Sequence, residues 1–205
     1  MAVEIQCIES GIPHKKQILH IVKVLQRGGV IVYPTDTIYG LGADIYNKSA
    51  IEKIIKIKKI SNQKLFSLIC PDFQSISKWA HIPNHAFRIM KRVLPGKYTF
   101  ILPVSTEVPK KLINKRNTVG IRIPDSQIAI SIVKELGRPI VNTSVPKSKD
   151  EFFTDPIEIA KMYKYDIDLI VSSGIMPNIP STIVDFTVNP PEIIREGAGD
   201  INLLF

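Results

Sequence analysis

The sequence predicts one α/β domain: a twisted, mixed sheet with flanking helices. Three observations support this. Apolar residues alternate along the chain between a helical period and short, strand-length runs. The 205 residues are 44% hydrophobic, enough for one large core and too apolar for a disordered chain. No repeat, low-complexity tract or linker divides the chain, so residues 10–200 are read as a single domain.

Each element has its own signal. Residues 15–27 place Ile18, Ile21, Val22 and Leu25 on one helical stripe, which Gly28-Gly29 closes. Residues 30–33, "VIVY", form a buried strand. Ser49-Ala50-Ile51-Glu52 reads as a capping box for a helix carried by Ile51, Ile54 and Ile55. Residues 65–70, "LFSLIC", read as a strand. Asp72 and Asn84 each cap a short helix, the second ending before Pro95-Gly96. "YTFILPV" and "TVGIRIP" are strands. Residues 126–136 form a helix with Gly137 as its stop, and "PIVNTS" is a strand. Asp155-Pro156 opens another helix, with proline at its first position. "DLIVSS", "STIVDFT" and "EIIRE" close the chain as strands. Residues 30–33, 65–70, 98–104, 118–123 and 139–142 are expected in one sheet.

Charge points to anionic partners. There are 27 Lys+Arg against 19 Asp+Glu, a net charge of +8. Lys53, Lys56, Lys58, Lys59 and Lys64 crowd into one twelve-residue run. They are expected at the rim of a binding cavity, where RNA phosphates would meet them. No stretch reaches the roughly 18 apolar residues of a membrane span. The N-terminus lacks the pattern of a signal peptide, so the expected location is cytoplasmic, with no membrane partner. Cys7 and Cys70 are too far apart for a metal motif and read as free thiols.

Several familiar devices are absent. "PGKYT" lacks the upstream glycine of a phosphate-binding loop, and Tyr98 stands where a hydroxyl would have to reach magnesium. "GLGADI" has two of the three dinucleotide-binding glycines. His81 and His85 flank Pro83 without a metalloprotease glutamate, so no protein-ligated metal is expected. What remains is a set of small polar groups at strand ends: Thr35-Asp36-Thr37, Asn142-Thr143-Ser144, Ser181-Thr182 and Arg195-Glu196-Gly197, with Arg122 inside a strand. Ligands of open α/β sheets bind beyond strand ends. Each group alone also suits a turn or a cap. Five together favour a pocket for a ligand that carries phosphates and a small polar moiety.

These residues carry a resemblance. "GGVIVYPTDTIYGLG" looks like the hallmark of the YrdC-like domain family, which includes threonylcarbamoyl-AMP synthases. "PGKYTFIL", "GIRIP", "NTS", "STIVDFT" and "IIREGAG" continue the match over residues 17–199. The resemblance implies a YrdC-like (YrdC-RibB-type) fold. It also implies a reaction of ATP, threonine and bicarbonate that gives threonylcarbamoyl-adenylate for transfer RNA modification, with Mg2+ accompanying ATP. Thr35 and Arg122 match amino-acid-binding positions. Lys58, Ser144, Ser181 and Arg195 match nucleotide-binding positions. Family members are described as binding double-stranded RNA, which makes double-stranded or transfer RNA an implied partner and Lys53, Lys56, Lys59 and Lys64 its candidate contacts.

Two family motifs are degenerate. Lys-x-Arg reads Lys58-Lys59-Ile60, and Ser-x-Asn reads Ser144-Val145-Pro146. The YciO branch of the family shares this pattern, and "FSLIC" and "IIREGAGD" also resemble it. Two functions stay open: a carbamoyl-adenylate former with a modified nucleotide site, or a non-catalytic RNA- or nucleotide-binding protein on the same scaffold. In either case Thr35 should offer its hydroxyl to the ligand, so Thr35→Val should weaken binding with little loss of melting temperature. Asp36 should brace the local backbone or a basic neighbour, and Gly40 and Gly42 should let the chain turn past the pocket wall.

Overall fold

The computed structural model describes residues 3–8, 11–58, 66–147 and 151–204. The elements run in the order β1 (Glu4–Cys7), α1 (Lys15–Gln26), β2 (Ile31–Pro34), β3 (Tyr39–Asp44), α2 (Lys48–Lys58), β4 (Ser67–Ile69), α3 (Phe73–Ile76) and α4 (Asn84–Val93). They continue with β5 (Tyr98–Pro103), β6 (Thr118–Arg122), α5 (Gln127–Leu136), β7 (Ile140–Ser144), α6 (Pro156–Met162), β8 (Leu169–Ser172), β9 (Thr182–Asp185) and β10 (Glu192–Arg195). Among the described residues the ten strands form one sheet, ordered β1-β8-β2-β3-β7-β4-β6-β5-β9-β10. Pairing is mixed: β1–β8, β2–β8, β4–β6 and β5–β9 are parallel, and the other neighbours are antiparallel.

Local chemistry sets the helix ends. Ser126 accepts the Ala129 N–H and opens α5, and Gly137 at φ +72° closes it in a left-handed turn. Asp155 accepts the Ile157 N–H at 2.8 Å with Pro156 at the first position of α6. Asp72 accepts from Ser75 at 2.8 Å and starts α3.

Two expected caps are corrected. Ser49 lies inside α2, and Asn47 does the capping: its Oδ1 accepts the Ala50 N–H at 3.0 Å and the Ser49 hydroxyl at 2.9 Å. Glu52 faces Lys111 instead of its own helix end. Asn84 is the first residue of α4, and the cap position belongs to Pro83. β1 and β3 were not expected. β3 was hidden by Gly40 and Gly42, which read as turn residues but pair in register with Ser144 and Asn142. Leu65 lies outside the described residues.

The sheet is covered on both faces. On one face α1 and α5 pack together over Ile31, Tyr33, Ile69, Ile140, Leu169 and Val171. On the other, Ile51 and Ile54 of α2, Met90 of α4 and Ile159 of α6 close over Val32, Leu41, Leu68, Phe100, Ile121 and Ile170. Alternation then fixes where a cleft can open. Asn142 and Ser67 lie two residues from Ile140 and Ile69, so they share the α1/α5 face. Over β7, β4, β6, β5 and β9 that face leaves a depression.

Candidate functional site

The depression is built from small residues set in a row by strand register. Gly40 pairs with Ser144, Asn142 with Ser67, Ser67 with Gly120, and Gly120 with Ile101. Without a side chain at Gly120 the floor stays open between Ser67 and Ile101. The cleft has a volume of about 130 Å³. Thr35, Arg122, Ser144, Ser181 and Arg195 all line it.

Arg122 is nearly fully buried. Its Nη2 donates to Asp36 Oδ1 at 2.7 Å and to the Thr37 hydroxyl at 3.2 Å. Asp36 Oδ2 accepts the Asp125 N–H at 3.1 Å, so this carboxylate is held by a cation and a backbone donor. The Nε of Arg122 is buried without a hydrogen-bond partner. Across the cleft, Arg195 donates from Nε and Nη2 to the Ser181 carbonyl at 3.1 and 2.7 Å. Among the described residues Arg195 has no carboxylate partner. Burial, then the neighbouring charge of Arg122, pull its pKa below the ordinary arginine value. The Ser181 and Thr99 hydroxyls bond each other at 2.8 Å.

Lys58 reaches the cleft from the end of α2. Its Nζ donates to the Ser144 carbonyl at 3.0 Å and to the Ser144 hydroxyl at 3.2 Å. The four small and charged groups expected around a nucleotide therefore fall at two ends of one cleft: Lys58 with Ser144, and Ser181 with Arg195. Pro146 follows this edge. Its carbonyl accepts the Tyr163 hydroxyl at 2.6 Å, and its ring offers no donor. Ile60, Lys59 and Lys64 lie outside the described residues.

Three expectations change. Thr35 lines the cleft, but its hydroxyl already donates to the Ile38 carbonyl at 2.7 Å and accepts the Thr37 N–H at 3.2 Å. The Thr37 hydroxyl, at 3.1 Å, donates to its remaining lone pair, so the Thr35 hydroxyl is fully engaged and Thr35→Val would strip three local bonds. Gly40 and Gly42 form no turn: they sit in β3 beneath bulky neighbours. Lys53 stands away from the rim. Its Nζ pairs with Asp168 at 3.6 Å, and Asp168 holds the N–H of Val30 at the start of β2, whereas Thr35 follows the end of that strand. Lys56 is exposed on the same helix.

Sequence reasoning named Asn142 within a strand-end group but passed over Tyr33 and Ser67, which join it on the floor. The Tyr33 hydroxyl donates to Asn142 Oδ1 at 2.7 Å, and Asn142 Nδ2 donates to the Ser67 hydroxyl at 3.0 Å. A usable signal was present: "FSLIC", "TVGIR", "IVNTS" and "YTFIL" each carry a small or polar residue among apolar ones. Those residues are Ser67, Gly120, Asn142 and Thr99, and all four line the cleft.

The Sua5/YciO/YrdC family model, described as telomere recombination, matches residues 23–197. The chain belongs to the Sua5/YciO/YrdC family. It is 40% identical over 191 residues to the Escherichia coli (strain K12) protein YciO, itself uncharacterised, covering 92% of this chain and 93% of that one. The crystal structure of E. coli YciO superposes with a TM-score of 0.94 at 37% identity, covering 99% of this chain and 100% of that one. More distant relatives are synthases. The chain is 29% identical over 175 residues to a threonylcarbamoyl-AMP synthase of Pyrococcus abyssi, covering 84% of this chain and 52% of the synthase. P. abyssi Sua5, crystallised with L-threonine, superposes with a TM-score of 0.86 at 26% identity, covering 96% of this chain and 58% of that one. The family thus joins uncharacterised YciO proteins to threonylcarbamoyl-AMP synthases on one fold. None of the described helices is long and apolar enough to cross a membrane.

Proposed function

We propose that the cleft takes an amino-acid carboxylate together with nucleotide phosphates, and that the protein forms a carbamoyl-adenylate as threonylcarbamoyl-AMP synthases do. The supporting observation is a charge imbalance. Arg122 and Arg195 share one cleft, and among the described residues only Arg122 has a carboxylate partner. Arg195 is half-buried, and a cation partly withdrawn from water without a counter-charge favours an anionic ligand that supplies one. The unpartnered Nε of Arg122 adds a buried N–H that a ligand oxygen would satisfy.

In this reading the amine of threonine and bicarbonate condense to a carbamate with loss of water. A carbamate oxygen attacks the α-phosphorus of ATP, and the bond to pyrophosphate breaks. The protein's part is placement and charge neutralisation. Arg122 holds the amino acid on the side of the cleft that Thr35 lines, while Lys58, Ser144, Ser181 and Arg195 hold the nucleotide. About 130 Å³ suits an amino acid and falls below the roughly 300–1,000 Å³ of pockets for larger ligands, so the adenosine would lie across the open side. Magnesium enters as part of the nucleotide substrate. Among the described residues no group of three His, Cys, Asp or Glu is arranged to hold a metal ion. Ile60 and Pro146 stand where the synthase motifs carry arginine and asparagine, so turnover should be slower than theirs by about a hundred-fold or more, the size of a few kcal/mol.

The test is incubation with ATP, L-threonine and bicarbonate, read as pyrophosphate release beside a P. abyssi synthase. Threonine-dependent release is expected. Release no greater than in the threonine-free control, with the reference enzyme active, contradicts the reading.

A further inference from the structure

We propose that Asn142 is a specificity-determining residue that donates an N–H to a carboxylate or carbamate oxygen in the cleft, and that Tyr33 is the positioning residue that aims it. The proposal rests on the reading of the cleft as an amino-acid site.

Tyr33 is fully buried with its ring against Gly40 and Gly42 of β3, and burial raises its phenol well above the ordinary tyrosine range, so it remains a donor. Its hydroxyl has Asn142 Oδ1 as acceptor, at 2.7 Å. If the amide were turned round, its NH2 would face the phenol oxygen and the Tyr33 O–H would lose its acceptor in a dry interior. One orientation therefore satisfies both groups, and it commits the amide oxygen to Tyr33. The nitrogen keeps two hydrogens. One goes to the Ser67 hydroxyl at 3.0 Å. Among the described residues the other has no acceptor, and Asn142 lines the cleft.

The neighbouring glycines fit this assignment. A Cβ at Gly40 would come within 2.4 Å of Asn142 Oδ1, and a Cβ at Gly42 within 2.7 Å of the Tyr33 ring. Glycine weakens a strand interior. Two of them in β3 make room for a buried polar network that an apolar core would not need. The network ends at the cleft floor, in the row that contains Gly120. A neutral donor there complements Arg122. It binds a carboxylate oxygen without adding charge, and Tyr33 holds the amide oxygen so that the N–H is what remains for a ligand.

The experiment is calorimetric titration of L-threonine into the wild type, Tyr33→Phe, Asn142→Asp and Tyr98→Phe. Tyr98 serves as control: its hydroxyl bonds the Asp200 carbonyl, away from the cleft lining. Tyr33→Phe should weaken binding about tenfold, one hydrogen bond's worth. Asn142→Asp can still accept from Tyr33 and so keep the fold, but its charge should abolish binding. Tyr98→Phe should lower the melting temperature and bind as the wild type does. Wild-type affinity in both Tyr33→Phe and Asn142→Asp overturns this assignment alone. So does equal loss of affinity in all three variants, because it marks a structural effect. A wild type that binds no L-threonine overturns the amino-acid reading and this assignment with it.

Discussion

A bare carboxylate at the mouth of the cleft would repel an anionic ligand. Asp36 escapes this because Arg122 and the Asp125 N–H neutralise it at 2.7 and 3.1 Å. Its value is then structural. Asp36→Asn leaves a nearly buried guanidinium without its counter-charge, which should lower unfolding free energy by about 3–5 kcal/mol. A chemical-denaturation midpoint equal to wild type would contradict that. Thr35 belongs to the same local scaffold. Thr35→Val removes the hydroxyl that joins the Ile38 carbonyl to the Thr37 N–H, and should cost about 1–3 kcal/mol in the same measurement. Thr35 and Asp36 thus differ less in kind than their side chains suggest: both hold the hairpin that carries Arg122's partner over the cleft.

Among the elements, α2 offers the clearest check on local structure. With Asn47 as its cap, Asn47→Ala should cost about 1 kcal/mol, whereas Ser49→Ala should cost much less. Thermal melts of the two variants decide it, and the reverse order would restore Ser49 as the cap. Most strands were legible because continuous apolar runs such as "VIVY" and "DLIVSS" have only one way to be buried. β3 was not, because its glycines are explained by Tyr33 and Asn142, residues from other strands. β1 was not, because most of its four residues are exposed and carry no apolar run. The same division holds in the cleft. Arg122 and Ser181 were legible from strand-end chemistry, whereas the Tyr33–Asn142–Ser67 network depends on register across three strands, which no single stretch encodes.

At the scale of the whole molecule, one ten-stranded sheet among the described residues brings Thr35, Arg122, Ser144, Ser181 and Arg195 to a single cleft from five separated stretches, and Lys58 of α2 meets its edge through Ser144. The same packing buries Cys70, whose thiol burial pushes up from 9.0 to about 12. Below the unfolded value both states keep the proton and the contribution is complete. Above it the unfolded chain loses the proton first, so stability falls as pH rises from 9.0 toward about 12. Wild type should therefore lose melting temperature faster than Cys70→Ala across that window, and parallel curves would contradict the burial. The central claim is that this cleft is the ligand site. Backbone amide shift mapping on addition of L-threonine tests it most directly. Shifts should concentrate at Gly40, Ser67, Gly120, Asn142 and Ser144. Saturating threonine that moves none of them, or moves a cluster on the α2/α4 face instead, would contradict it.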